Sequence, residues 1–126
     1  MTVVLDASAI MAVIRREQGR ERVIQALESA IVSAVSFAEV VGKLVMRGMP
    51  AALAKTEFET LGVPTVPFGD DQAFEAGKLR RLSHHLQLSL ADRACLALAH
   101  LRKLPVLTAD RKWSELNIGV EIRQIR

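Results

Sequence analysis

Four carboxylates carry the chemical content of this 126-residue chain: Asp6, Glu39, Asp92 and Asp110. Each stands at or within a turn of an expected helix start. Asp6 ends the apolar run Val3-Val4-Leu5, and Asp110 closes Pro105-Val106-Leu107-Thr108-Ala109. A hydroxyl lies two residues from each of these acids, Ser8 after Asp6 and Thr108 before Asp110. Helix capping accounts for all four. Asp is a favoured N-cap, Ser36-x-x-Glu39 fits a capping box, Ser89-x-x-Asp92 resembles one, and Asp110 can cap a short helix from Arg111. Helical spacing also sets Glu39 opposite the Phe37/Val40/Leu44 face, with Lys43 as an i,i+4 partner. Ser8 and Thr108 have a local reading too, as caps.

Capping has a consequence of its own. In a parallel sheet flanked by helices, helix starts that follow strands share the edge where those strands end, which is where open α/β sheets bind ligands. Carboxylates gathered there repel one another, so some protonate or a cation neutralises them. Hard oxygen donors favour Mg²⁺ or Mn²⁺, and helix amino termini help keep the acids ionised. A site of this kind binds a phosphate diester, lowers the pKa of a water and offsets charge on the leaving oxygen, hydrolysing without a nucleophilic side chain. Ser8 and Thr108 are placed to orient a carboxylate from behind.

The elements that must position these acids follow in order. Val3-Val4-Leu5 suits a strand buried on both faces of a parallel sheet. Ile10, Val13 and Ile14 mark a helix face; Gly19 breaks it, and a second helix sets Val23, Ile24 and Leu27 on one side. Ile31-Val32 is a short strand. A helix opening at Ser36 carries Phe37, Val40, Val41, Leu44 and Val45 inward and ends near Gly48. Pro50 suits the first turn of a helix running to about Leu61. Val63-Pro64-Thr65-Val66-Pro67 reads as an edge strand because it is flanked by proline. A helix begins at Gly69 or Asp70, and His84 and His85 fall in the loop after it. The helix from Ser89 to Leu101 is apolar nearly all round, as a central element is. Pro105-Val106-Leu107-Thr108 and Val120-Glu121-Ile122 are the last strands. Strands alternating with helices predict a parallel α/β sandwich.

Composition narrows the class. One globular domain is expected, large enough to bury roughly two-thirds of its unfolded surface. Cys95 is the only cysteine and sits in Ala94-Cys95-Leu96-Ala97-Leu98, as a small buried hydrophobe would, so no internal disulfide forms and a reducing cytoplasm fits. Adjacent histidines rarely face one metal and His100 lies on another helix, which argues against zinc. No run approaches the roughly 18 apolar residues that span a bilayer, and the amino terminus lacks a basic leader. The formal net charge is +3, unevenly spread: residues 1–77 carry 7 Lys+Arg against 10 Asp+Glu, and residues 78–126 carry 10 against 4. A basic half that includes Arg93, Arg111 and Lys112 suits a phosphate backbone. With four Phe, one Trp and no Tyr, base stacking cannot dominate recognition.

Four blocks together resemble the PIN-domain ribonucleases, and among them the VapC toxins of VapBC toxin–antitoxin pairs. They are Val4-Leu5-Asp6-Ala7-Ser8-Ala9, residues 33–40 from Ser33 to Val40, residues 88–99 from Leu88 to Ala99, and Val106-Leu107-Thr108-Ala109-Asp110-Arg111. The resemblance spans essentially the whole chain as a single domain, 1–126, although residues 50–85 agree only in pattern. It implies a PIN-like three-layer sandwich with a parallel sheet ordered 3-2-1-4-5, and a Mg²⁺- or Mn²⁺-dependent endoribonuclease. It maps the family's acidic metal site onto Asp6, Glu39, Asp92 and Asp110, with supporting hydroxyls at Ser8 and Thr108. For Glu39 the assignment comes from the resemblance. A homodimer, held inactive by a small VapB-type antitoxin, is the implied assembly, and Arg93, Arg111 and Lys112 are candidates for touching RNA.

Two other classes compete. A receiver-like phosphoacceptor also gathers acids at strand ends, but it carries paired acids after the first strand and a lysine after a late one; here a single Asp6 and Thr108-Ala109-Asp110 stand there. A catalytically silent RNA- or protein-binding module of the same fold would not need the full set of acids. A P-loop NTPase is excluded for want of G-x-x-x-x-G-K-[ST].

Overall fold

The structure, a computed structural model, describes residues 2–126. Its centre is β1 (Val3–Leu5), buried along its whole length. Parallel neighbours flank it on both sides: β2 (Ala30–Ser33), with Val4 opposite Ile31, and β4 (Val106–Thr108), with Leu5 opposite Leu107. A strand hemmed in this way shows neither face to water, which is why its sequence does not alternate. β3 (Thr65–Val66) pairs outside β2 and β5 (Ile122–Gln124) outside β4, so the order is β3-β2-β1-β4-β5, all parallel. β3 is short because Pro64 and Pro67 bracket it and offer no N–H, which confines it to the edge.

Side chains alternating along β1 divide the core in two. Val3 and Leu5 pack with Val23 of α2 (Arg20–Ala26), Val40 and Leu44 of α3 (Ala34–Met46), Ala54 and Phe58 of α4 (Ala51–Glu59), and Ile10 of α1 (Ala7–Ile14). Val4 faces the other way, onto α6 (Leu90–Arg102), Ala76 and Leu79 of α5 (Asp70–Leu82), and the fully buried Trp113. Every residue of α6 from Ala94 to Ala99 is buried, as its all-round apolar pattern requires. No helix among the described residues is long and apolar enough to cross a membrane.

Several local expectations shift. The third helix is capped by Ser33, whose Oγ accepts from the Val35 N–H at 3.2 Å, while Ser36 is buried inside the first turn. β2 feeds α3 with no loop between them, so the last strand residue becomes the cap, and Ser36-x-x-Glu39 is not a capping box. Val45 and Ile24 point outward, 41% and 50% exposed, because the buried stripe of α3 runs Ser36-Val40-Leu44 and Val23 alone of α2 is buried. His84 and His85 begin a single 3₁₀ turn, His84–Leu86. β5 starts two residues later than Val120, where its register with Val106 begins.

The strand order doubles back at β1: the chain moves outward through β2 and β3, then returns to β4 on the opposite side. A crevice at such a reversal, beyond the strand carboxyl ends, is the standard ligand position in this class. Asp6 follows β1 directly, and Asp110 stands two residues after β4.

Gly19 lets the chain tail close over this frame. It has φ +92°, and a Cβ there would lie 2.4 Å from the Ile125 carbonyl oxygen. Gly42, inside α3, has nothing within 4 Å of its would-be Cβ. Gly19→Ala is expected to destabilise the fold by about 2 kcal/mol or more, and Gly42→Ala to stabilise it by up to about 1 kcal/mol. Urea unfolding of both variants checks the pair, and equal effects would contradict the tail packing.

Candidate active site

Asp6 is the N-cap of α1, with an extended backbone and only 5% of its surface exposed. Its Oδ1 accepts from the Ala9 N–H at 2.9 Å and from Ser8 Oγ at 2.7 Å; its Oδ2 accepts from Thr108 Oγ1 at 2.6 Å. Each hydroxyl has one proton, and both protons point at Asp6. The two hydroxyl oxygens, 3.3 Å apart, therefore meet through lone pairs and turn outward as acceptors. Ser8 Oγ takes the Ala109 N–H at 2.9 Å and Thr108 Oγ1 takes the Asp110 N–H at 3.0 Å. The loop after β4 is thus hooked onto the carboxylate that follows β1. Capping and a buried site coexist at Asp6, because the cap sits on the central strand.

Burial pushes the Asp6 carboxyl up to about 6; its three hydrogen bonds pull the other way, and the Asp92 charge adds to the rise. Asp92 belongs to a complete capping box at the start of α6: its Oδ2 accepts from the Ser89 N–H at 3.0 Å, and Ser89 Oγ accepts from the Asp92 N–H at 3.1 Å. One turn further on lies the buried thiol of Cys95. It is raised well above its usual value, first by burial and then by the charges of Asp6, Asp92 and Glu39. The three carboxylate charges act on that thiol in the same direction as its burial. Glu39 is half-buried, so it meets Lys43 Nζ at 3.4 Å while its charge still reaches Cys95. The expectation of a face turned wholly from the core is corrected to that extent.

Asp110 caps the 3₁₀ turn Arg111–Glu115, its Oδ1 accepting from the Lys112 N–H at 3.0 Å. Gln124 of β5 clamps this corner, donating through Nε2 to the Asp110 carbonyl at 2.9 Å and to Ser114 Oγ at 3.0 Å. The sequence reading missed Gln124; only the register of β5 beside β4 reveals it.

A family model for the PIN domain matches residues 3–119. The chain belongs to the PIN domain family. Solved structures agree in fold. VapBC2 from Rickettsia felis, bound to a DNA fragment from its promoter, is 13% identical, with 98% of each chain covered and a TM-score of 0.76. VapBC-5 from Mycobacterium tuberculosis is 24% identical over 99% of this chain and 98% of that one, with a TM-score of 0.67. FitAcB from Neisseria gonorrhoeae is 19% identical over 98% of both chains, with a TM-score of 0.71. Among curated proteins the chain has no match. Family membership sets the receiver-like alternative aside.

The candidate site is a set of acids rather than a closed ligand shell. Among the described residues no three His, Cys, Asp or Glu side chains converge tightly enough to hold a metal. The reason is local: Asp92 and Asp110 each turn an oxygen back to a main-chain N–H, and Glu39 reaches toward Lys43. The donor chemistry nevertheless suits a hard divalent cation. All the donors are carboxylate oxygens, Asp6 is a buried acid, and among the described residues neither Asp6, Asp92 nor Asp110 is ion-paired with Lys or Arg. Of the basic candidates, Arg111 is exposed, Lys112 Nζ lies 3.4 Å from the Leu86 carbonyl, and Arg93 donates through Nη1 to the Ala76 carbonyl at 3.0 Å. His84 and His85 are exposed, and His100 Nδ1 pairs with Glu75 at 3.0 Å.

The elevated Asp6 carboxyl makes stability pH-dependent. Between about pH 4 and 6 the folded state holds a proton that the unfolded chain has released, so the contribution of Asp6 to stability is full below pH 4 and is lost as pH rises through 6. The loss is on the order of 3 kcal/mol. Asp6→Asn is expected to lack this component and to be more stable than the parent at pH 7.5. Denaturant unfolding of both proteins at pH 4.5 and 7.5 measures it, and parallel pH profiles would contradict it.

Proposed function

We propose that this PIN domain, acting as one unit over residues 1–126, is a Mg²⁺- or Mn²⁺-dependent endoribonuclease and the toxin of a VapBC-type pair. The observation that carries the reading is the buried Asp6 carboxylate, held by two hydroxyls and a helix N–H and feeling the charge of Asp92. Asp6, Asp92, Asp110 and Glu39 are the residues that would hold the cation. When bound, the cation supplies Lewis-acid activation of a phosphodiester and stabilises the charge that develops on it. Ser8 and Thr108 aim the Asp6 oxygens and oppose their protonation, and the capping box fixes the backbone that carries Asp92. The amino termini of α1 and α6 carry partial positive charge toward the same edge, where a phosphate gains from it.

The toxin role draws on the toxin–antitoxin assemblies among the similar folds. A small VapB-type antitoxin, a second copy of the chain and a cytoplasmic setting complete the proposal. Uncovered apolar surface is available for such partners: Phe74 is 70% exposed, Leu82 59% and Met46 86%. A second reading, a silent RNA- or protein-binding module, is favoured by one observation, the lack of a closed ligand cluster among the described residues.

Cleavage separates the two. The purified protein is expected to cut RNA with Mg²⁺ or Mn²⁺, to stop in EDTA, and to lose about a hundredfold or more in rate with Asp6→Asn or Asp92→Asn. Cleavage that persists in EDTA or in both variants would remove the metal mechanism; no cleavage with either ion would favour the silent module. Induced expression is also expected to arrest growth, with relief from a small neighbouring gene product. Unchanged growth despite cleavage in vitro would place the nuclease outside a toxin role.

A further inference from the structure

A cavity of about 240 Å³ opens where the end of α5, the His84–Leu86 turn and the first turn of α6 meet. Arg80, Ser83, His84, Gln87, Leu88 and Arg93 line it. No carboxylate is among them, and neither arginine is ion-paired among the described residues. The Ser83 hydroxyl spends its proton on the Leu79 carbonyl at 2.7 Å, which leaves the two guanidinium groups as the main charged donors.

Arg93 is held in an unusual state. Its Nη1 is anchored to the Ala76 carbonyl, which fixes the guanidinium against α5, while its Nε is buried with no acceptor among the described residues. A guanidinium fork with donors to spare matches the oxygens of a phosphate.

The position of the cavity says which phosphate. Arg93 follows Asp92 on α6, and Lys112, two residues past Asp110, reaches the Leu86 carbonyl at the cavity's own turn. Cavity and acidic site are therefore neighbours on one edge of the sheet. A polyanion laid across that edge is repelled by the carboxylates and attracted next door.

We propose that this cavity is a phosphate subsite for the nucleic acid chain, with Arg80 and Arg93 as its ligands, seating a phosphate other than the one at the acidic site. The inference rests on the nuclease reading of the adjacent carboxylates, but its test is binding rather than cleavage. Fluorescently labelled single-stranded RNA, with either a 5′-hydroxyl or a 5′-phosphate, is titrated with the full-length protein in EDTA at several salt concentrations.

Arg80→Glu is expected to weaken binding about tenfold, and Arg80→Gln by less. Loss of one phosphate contact is expected to reduce the salt slope by about 0.7. Arg47→Glu, an equal charge change at the far end of α3, serves as the control and is expected to weaken binding at most twofold. Thermal unfolding checks that all variants fold, and Arg80 is exposed enough for them to do so. A loss on both RNAs assigns the cavity to an internal phosphodiester; a loss only on 5′-phosphorylated RNA assigns it to a terminal phosphate. Equal weakening by Arg80→Glu and Arg47→Glu, an unchanged salt slope, or no RNA binding by the parent would overturn the subsite. Metal-dependent cleavage alongside any of these results would leave the nuclease standing without it. Selective weakening by Arg80→Glu in a protein that cuts nothing would keep the phosphate pocket and remove the nuclease.

Discussion

The carboxylate of Asp6 is buried at the end of the central strand, and the hydrogen bonds at that edge of the sheet are arranged around it. Two hydroxyls and a helix N–H spend their protons on it, and the same hydroxyl oxygens then catch the two main-chain N–H groups of the loop after β4. Hydrogen bonds chained in this way polarise one another in a low-dielectric setting. The arrangement holds a charge in place without neutralising it. Burial still wins over the hydrogen bonds, as the raised Asp6 carboxyl shows.

Charge around this edge is sorted rather than mixed. The charges of Asp6, Asp92 and Glu39 all bear on the buried Cys95, while Arg80 and Arg93 line a separate cavity against the first turn of α6. Salt bridges elsewhere, such as Lys78 and His100 on Glu75, pair opposite charges locally. Among the described residues Asp6, Asp92, Arg80 and Arg93 have no such partner, whereas Glu39 meets Lys43. Fields of both signs on one edge can align an extended polyanion across it. α6 is the element shared by the two clusters, and its buried run from Ala94 to Ala99 makes it a rigid mount for both.

Much of the frame was legible in the residues themselves. A short apolar run with no alternation suits a strand covered on both faces, as β1 is, and proline on both sides of Thr65-Val66 suits the edge that β3 occupies. Ser89 and Asp92 cap α6 as their spacing implies, since a capping box closes within one turn. Less legible was α3. Both Ser33 and Ser36 can cap a helix, and the choice fell to Ser33 because β2 and α3 join without a loop. Glu39 could not be oriented from periodicity alone, because a half-buried position can serve Lys43 while its charge still bears on Cys95.

What the amino-acid order determined alone was everything decided within a few residues: where strands end, which side chains cap, and that an acid stands at each of the critical ends. The tertiary structure alone decided how those acids are used. Thr108 reaches Asp6 across 102 residues of chain, Ala109 reaches Ser8 across 101, and Gln124 meets Asp110 only because β5 pairs beside β4. Such contacts depend on the register and order of strands, which no local pattern encodes. Asp92 and Asp110, by contrast, turn toward their own caps through contacts only two or three residues apart, and among the described residues the acids form a loose set rather than a closed cluster. A carboxylate has two oxygens, and whether it spends them on its own backbone or on a shared ion is settled by geometry and by the charges around it.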